Sequence, residues 1–278
     1  MRIPDWFVYA IVLAAIVTVI FVIPTETIDP RDKSQADVVS RAGRALPPPS
    51  VFDDHIVIEV EAPKDSVGTA FAINFNGDWM TARHVVQGCD RVAIFPLPGN
   101  PAPVESVITL EDYDLAILRS VRSNNPLRFN LDEDLEIGTS GFHIGFPQGR
   151  AGEARARLHS RSVIVSQGER RARESALAWV EQSRTNGLNG TLGGMSGGPV
   201  FDEAGDVRGV VVAESPRLGR LYSAAPASIR RFLDVADIVA EGAKPPYRYS
   251  EDTYRDNADQ LRFDQQVVKV ACDVSGGG

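Results

Sequence analysis

The stretch Gly193-Gly194-Met195-Ser196-Gly197-Gly198-Pro199-Val200 constrains this chain more than any other. Two glycines precede a serine, two follow it, and a proline closes the turn. Glycine reaches backbone conformations closed to other residues, so the run predicts a tight bend poor in side chains. Such a bend can hold one hydroxyl beside converging backbone N–H groups. Acyl transfer needs that pairing of a nucleophile with donors for a developing oxyanion. Glycine-rich turns are common, however, and the loop gains meaning only with a base and an orienting acid elsewhere.

The base candidate is His84, within Thr81-Ala82-Arg83-His84. The chain has four histidines, and the surroundings of His55, His143 and His159 carry no comparable pattern. The acid candidate is Asp114, a turn acid that enters the apolar run Leu115-Ala116-Ile117-Leu118. Glu111 and Asp112 lie close by, so local charge does not by itself choose Asp114. The order His, Asp, Ser is one of the known chain orders of a nucleophilic triad. Taken singly, each residue reads as well as a core histidine, a turn acid and a turn serine.

Together, Thr-Ala-x-His, Asp-Leu-Ala-x-Leu and Gly-x-Ser-Gly-Gly-Pro-Val resemble the chymotrypsin-fold (trypsin-like) serine peptidases. Gly68-Thr69-Ala70-Phe71 ahead of the histidine, and the absence of an extracellular disulfide pattern, resemble the bacterial HtrA-type branch. The resemblance covers about residues 51–240. It implies an all-β fold of two six-stranded antiparallel barrels, with the site in the cleft between them. Ser196 would be the nucleophile, His84 the general base and Asp114 its orienting acid. The N–H groups of Gly194 and Ser196 would form the oxyanion hole, and the substrate would be a protein or peptide.

Two departures from the family pattern carry expectations. The residue before the nucleophile is Met195, not the acid that pairs with a freed amino terminus in the digestive enzymes. Activation by that type of cleavage is therefore not expected. Gly190, six residues before Ser196, stands at the base of the specificity pocket, where a preference for Lys or Arg requires an acid. Val212, Ala213 and Glu214 fall near the pocket wall by the same resemblance. The expected preference is for small or medium apolar side chains, unless Glu214 points inward.

Composition narrows the alternatives. With 29 basic and 37 acidic residues the formal charge is −8, which argues against nucleic acid as a partner. The basic stretch from Arg150 to Arg173 is interrupted by Glu153, Glu169 and Glu174 and reads as a solvated hairpin face. No His-Glu-x-x-His, Cys-x-x-Cys or phosphate-binding Gly-Lys-Ser/Thr sequence is present, so no cofactor and no metal are expected.

Trp6 to Ile23 is an apolar run without a charge, at the short end of membrane-spanning length. No small-x-small cleavage site follows it, which favours an uncleaved anchor (residues 1–23) in the lipid bilayer over a signal peptide. The expected arrangement is a single-pass protein with its 51–240 domain outside the cytoplasm, in the periplasm or on the cell surface. Residues 24–50 read as a polar linker ending in Pro47-Pro48-Pro49. From Val51 onward, short β-rich segments alternate with turn signals, which suggests a sandwich or barrels. Ile229, Phe232, Leu233, Ala236 and Val239 predict a helix over about 228–240.

Residues 241–278 form a tail too short for the peptide-binding PDZ domain of many HtrA-type enzymes. Val268, Val270, Cys272 and Val274 share one strand face, as an added edge strand or in a disordered tail. Cys89 and Cys272 could pair in an oxidising compartment, and free thiols are equally compatible with the sequence. The leading expectation is a membrane-anchored serine endopeptidase. The alternative is a protease-fold binding or scaffolding protein without turnover. Oligomeric state is not legible.

Overall fold

The computed structural model describes residues 29–59, 64–97, 100–123, 125–167, 171–243, 246 and 248–274. The expected membrane helix over 6–23 lies outside them. No helix among the described residues is long and apolar enough to cross a membrane.

Alternating and wholly apolar segments form fourteen strands in two sheets among the described residues. The first half of the chain supplies β2 (Ser66–Ala72), β3 (Asp78–Thr81), β4 (Arg91–Leu97), β5 (Asn100–Pro103), β6 (Ser106–Thr109) and β7 (Ala116–Arg119). The second supplies β8 (Ser140–Gly145), β9 (Gly152–Gln167), β10 (Arg171–Arg184), β11 (Pro199–Phe201), β12 (Val207–Ser215) and β13 (Arg220–Ala224). Two strands come from outside these blocks: β1 (Asp54–Glu59) and, from the tail, β14 (Val267–Asp273).

The second-half strands run in the order β9-β10-β13-β12-β11-β8, and β8 pairs back onto β9 to close a six-stranded barrel. The first-half sheet runs β5-β4-β14-β2-β3-β7-β6 and curls without closing. Two closed barrels were expected, so one is corrected to a half-barrel. Its edges explain why. Strands β5 and β6 have four residues each, and β5 carries Pro101 and Pro103, which cannot donate to a further ladder. Nor is every pairing antiparallel, because β1 joins β9 in parallel, from Asp54 opposite Ser162 to Glu59 opposite Gln167.

The tail strand is central rather than an edge. β14 lies between β2 and β4, pairing Val270 with Gly68 on one side and with Ile94 on the other. Val267, Val268, Val270 and Cys272 are buried there, so the first sheet is incomplete without the last described residues. Helix α4 (Tyr254–Phe263) leads into β14, and Arg262 on it reaches the Gly145 and Gly152 carbonyls and Glu153 of the closed barrel.

Two further expectations change. The linker contains helix α1 (Pro30–Arg41), started by Asp29, whose carboxylate accepts the Arg31 N–H, and by Pro30 in the first turn. It is pinned to the closed barrel by Arg31 to the Pro216 carbonyl, Gln35 to the Glu181 carbonyl, and Asp37 to His159. The Arg150–Arg173 stretch does lie in the β9–β10 hairpin, but its arginines are not simply solvated. Arg161 is 8% exposed, donating to the Pro47 carbonyl and paired with Glu133, and Arg155 pairs with Glu251. The helix expected over 228–240 is α3 (Pro226–Val235), which ends where Asp237 turns to positive φ.

Cys89 and Cys272 form a disulfide, with Cα atoms 5.4 Å apart and 183 positions between them. It ties the central tail strand to the segment just after His84. A loop of that length implies up to about 5 kcal/mol of stabilisation through the unfolded chain. The Cys89→Ser/Cys272→Ser double variant should therefore unfold at clearly lower denaturant than the oxidised protein. The reduced wild type should match the variant.

Candidate active site

Strand register brings His84 and Asp114 together. β3 and β7 are antiparallel, with Thr81 opposite Ala116. His84 lies three residues past the end of β3, in the short helix α2 (Arg83–Val86), and Asp114 lies two residues before β7. The two segments therefore leave the sheet side by side. The Arg83 N–H donates to the Asp114 carbonyl, the His84 N–H to Asp114 Oδ1 at 2.9 Å, and His84 Nδ1 sits 2.7 Å from Asp114 Oδ2. Asp114 is 5% exposed, whereas the His84 side chain is 36% exposed at the cleft. Glu111 and Asp112 are exposed, so burial and bonding single out Asp114 from the three acids.

The His84 ring is held in one tautomer: Nδ1–H faces the carboxylate, which leaves Nε2 free to take a proton. Burial opposes its charged form, but the Asp114 charge and hydrogen bond outweigh that and raise its pKa above the usual histidine value. Arg83 pulls in the other direction.

Asp114 is held from behind as well. Its own N–H donates to Glu174 Oε2 at 2.7 Å, from β10 of the other barrel. Glu174 is 3% exposed, and burial pushes its carboxyl up to about 8, favouring the protonated acid.

Ser196 arrives from the closed barrel. Its loop is anchored by the Gly197 N–H to the Val211 carbonyl and the Gly198 N–H to the Met195 carbonyl. Gly194 and Gly197 both have positive φ, at 96° and 84°. A side chain on Gly197 would overlap the Thr69 carbonyl and Thr81 Oγ1, and one on Gly194 would overlap the Phe146 carbonyl. Met195 is 1% exposed and packs in the closed-barrel core.

The loop's backbone donors divide cleanly. Leu192 N–H donates to the Glu214 carboxylate, Gly193 N–H to Thr191 Oγ1, Met195 N–H to the Leu192 carbonyl, and Gly197 and Gly198 N–H as above. From Leu192 to Gly198, only the N–H groups of Gly194 and Ser196 have no protein acceptor. Two such donors flanking one residue, next to a hydroxyl, are the groups that an oxyanion site requires. No hydrogen bond joins Ser196 Oγ to the His84 ring in this structure.

Thr69 on β2 connects the halves. Its N–H donates to the Ser196 carbonyl at 2.9 Å and its hydroxyl to the Gly194 carbonyl at 2.8 Å. The same hydroxyl accepts the Phe146 N–H, and the Thr69 carbonyl accepts the Thr81 hydroxyl. The sequence marked Thr69 only as part of a matching stretch, and Glu174 only as an acid that interrupts the basic stretch. Neither has a local signal of its role, because each acts on a residue distant in the chain.

Of the four residues placed at the pocket by resemblance, Val212, Ala213 and Glu214 are consecutive in β12, and Glu214 reaches the Thr191 hydroxyl next to Gly190. Gly190 is exposed, accepts from Arg184 through its carbonyl, and borders a cavity of about 540 Å³ shared with Arg31, Glu181, Leu188 and Leu218. None of His84, Asp114 and Ser196 lines that cavity. Val212 is 2% exposed in the core, and Ala213 is half-buried against it. Glu214 turns its carboxylate to the Leu192 N–H and the Thr191 hydroxyl, on the segment that leads into the serine loop. Among the described residues no cluster of His, Cys, Asp and Glu could hold a metal ion.

This is the architecture of a chymotrypsin-like domain. Residues 68–210, just over half of the chain, match the trypsin-like peptidase domain, and the chain belongs to that family. The fold is shared with the active form of the Rv3671c protease from M. tuberculosis (TM-score 0.52, 18% identity, 73% of this chain and 98% of that one). It is shared also with the HtrA-type protease AlgW, solved with a decapeptide (TM-score 0.50, 18% identity, 73% of this chain and 67% of that one). No curated protein matches the sequence.

The Thr69 contacts give a direct check. Thr69→Val keeps the shape but leaves the Phe146 N–H without its acceptor and the Gly194 carbonyl without its donor. A buried group left unpaired costs about 1–3 kcal/mol. The variant should unfold at lower denaturant by about that amount, whereas Thr69→Ser should stay close to wild type.

Proposed function

We propose that this chain is a membrane-anchored serine endopeptidase that acts outside the cytoplasm. The observation that carries the reading is the pair of unpaired N–H groups, Gly194 and Ser196, beside the Ser196 hydroxyl. The His84–Asp114 pair stands across the cleft on the other barrel. In this mechanism Ser196 Oγ attacks the scissile carbonyl, and its proton passes to His84 Nε2. The carbonyl oxygen becomes an oxyanion held by the two N–H groups. His84 then protonates the leaving amine, and water repeats the sequence on the acyl-enzyme. Asp114 stays ionised and stabilises the imidazolium. The Ser196–His84 hydrogen bond would form when substrate seats, since such bonds tighten in the bound complex.

The peptide substrate class is supported by family membership and by the neighbour AlgW, solved with a decapeptide. The anchor rests on the uncharged run from Trp6 to Ile23. An oxidising compartment is supported by the Cys89–Cys272 disulfide, since such bonds persist outside the cytosol. Processing or quality control of extracytoplasmic proteins is the role this combination fits.

The test is covalent labelling of the full-length chain by a fluorophosphonate, with Ser196→Ala as control. Labelling of wild type alone supports an activated serine. Well-folded wild type that stays unlabelled fits the alternative of a binding protein that keeps the residues without the chemistry.

The pH profile gives a further check. His84 must be neutral to act as base, and its pKa lies above the usual value because of Asp114. The labelling rate should therefore rise with pH through a midpoint above about 6.5. In Asp114→Asn the midpoint should fall, and the plateau should drop by orders of magnitude, near the 10⁴-fold loss known for such a change.

A further inference from the structure

Glu174 is a buried side chain of the closed barrel that accepts a hydrogen bond from the backbone of Asp114. We propose that Glu174 is a positioning residue: it reaches across the barrel interface, takes the Asp114 N–H, and couples the seating of Asp114 to its own protonation state. The kinetic consequence rests on the hydrolase reading above, whereas the coupling itself does not.

The geometry supplies the argument. Oε2 accepts the Asp114 N–H at 2.7 Å, one residue's backbone away from the carboxylate that holds His84. Oε1 is buried with no hydrogen-bond partner. A glutamine would give the same acceptor without a titratable proton, so a carboxyl here adds something beyond the hydrogen bond. The charged and titratable groups around it are Arg83 on α2, Asp114 and Tyr113 on the turn before β7, and Arg231 on α3, which bonds Tyr113. Arg83 favours the ionised acid, while Asp114 and burial oppose it.

Ionisation near pH 8 would put a second negative charge behind Asp114. That charge repels the Asp114 carboxylate and strengthens the hold on its N–H, so the residue is re-seated. The sign for stability follows. The folded state keeps a proton that the unfolded chain loses above about 4.5. Glu174 therefore makes stability fall as pH rises from there towards 8, and level off beyond.

The experiment compares full-length wild type, Glu174→Gln and Glu174→Ala. It follows the Asp114 amide resonance by ¹H–¹⁵N NMR from pH 6 to 10, with the rate of fluorophosphonate labelling over the same range. In wild type the amide should titrate with a midpoint near 8, and the labelling rate should change with the same midpoint. In Glu174→Gln the step near 8 should vanish from both, leaving only the titration set by His84, with labelling near wild type at pH 7. Glu174→Ala, which leaves the N–H unpaired, should label about tenfold more slowly at pH 7. If the alanine variant does not fold, the glutamine variant carries the comparison. An amide that is flat in wild type, or that titrates alike in Glu174→Gln, overturns the proposal. A wild-type amide step that vanishes in Glu174→Gln, with no labelling in any form, upholds the coupling and sinks the hydrolase reading.

Discussion

Thr69 makes four hydrogen bonds, and everything proposed for the cleft depends on them. Two go to the loop that carries Ser196, one comes from Phe146 N–H at the end of β8, and one comes from Thr81, three residues before His84. A serine on one barrel and a histidine on another can cooperate only if the two bodies hold a fixed offset. A hydrophobic interface alone is non-directional and does not set that offset to the fraction of an ångström that proton transfer requires. Directional bonds from a fully buried threonine do. The positive-φ Gly197 lies against the same Thr69 carbonyl and Thr81 hydroxyl, so the loop packs too closely there for any side chain.

A second constraint comes from the end of the chain. β14 fills the middle of the open sheet, and the Cys89–Cys272 bridge fastens it five residues past His84. The half-barrel that presents His84 and Asp114 is thus assembled from residues some 200 positions apart. Folding of that half must wait for its last strand, because β2 and β4 have no direct pairing without it. Pairings of such long range carry a large loop-closure cost before they contribute.

The buried acids divide by environment. Asp114 accepts two hydrogen bonds from His84, one from its backbone N–H and one from its ring. Glu174 accepts one donor, its second oxygen is buried without a hydrogen-bond partner among the described residues, and burial pushes it towards its neutral form. A second carboxyl beside Asp114 is costly to ionise, which adds to the upward push that burial gives Glu174. Glu214 differs again, with its carboxylate met by the Leu192 N–H and the Thr191 hydroxyl beside the serine loop.

Much of this was legible in the residues. The Gly-Met-Ser-Gly-Gly-Pro loop, the Thr-Ala-Arg-His turn and the Asp-Leu-Ala-Ile-Leu strand entry carry short-range patterns, and steric and propensity rules act at that range. They point to the family, the all-β class and the three side chains at the cleft. What the tertiary structure decided is non-local. The open first sheet follows from the short edges β5 and β6, and the central place of the tail follows from its pairing with both β2 and β4. The pairing of Cys89 with Cys272 depends on that placement. Thr69 and Glu174 acquire their roles from partners 125 and 60 positions away. A hydrogen bond's partner is set by where two strands meet in space. The sequence states which groups can donate and accept, and only the packed barrels determine which of them face each other.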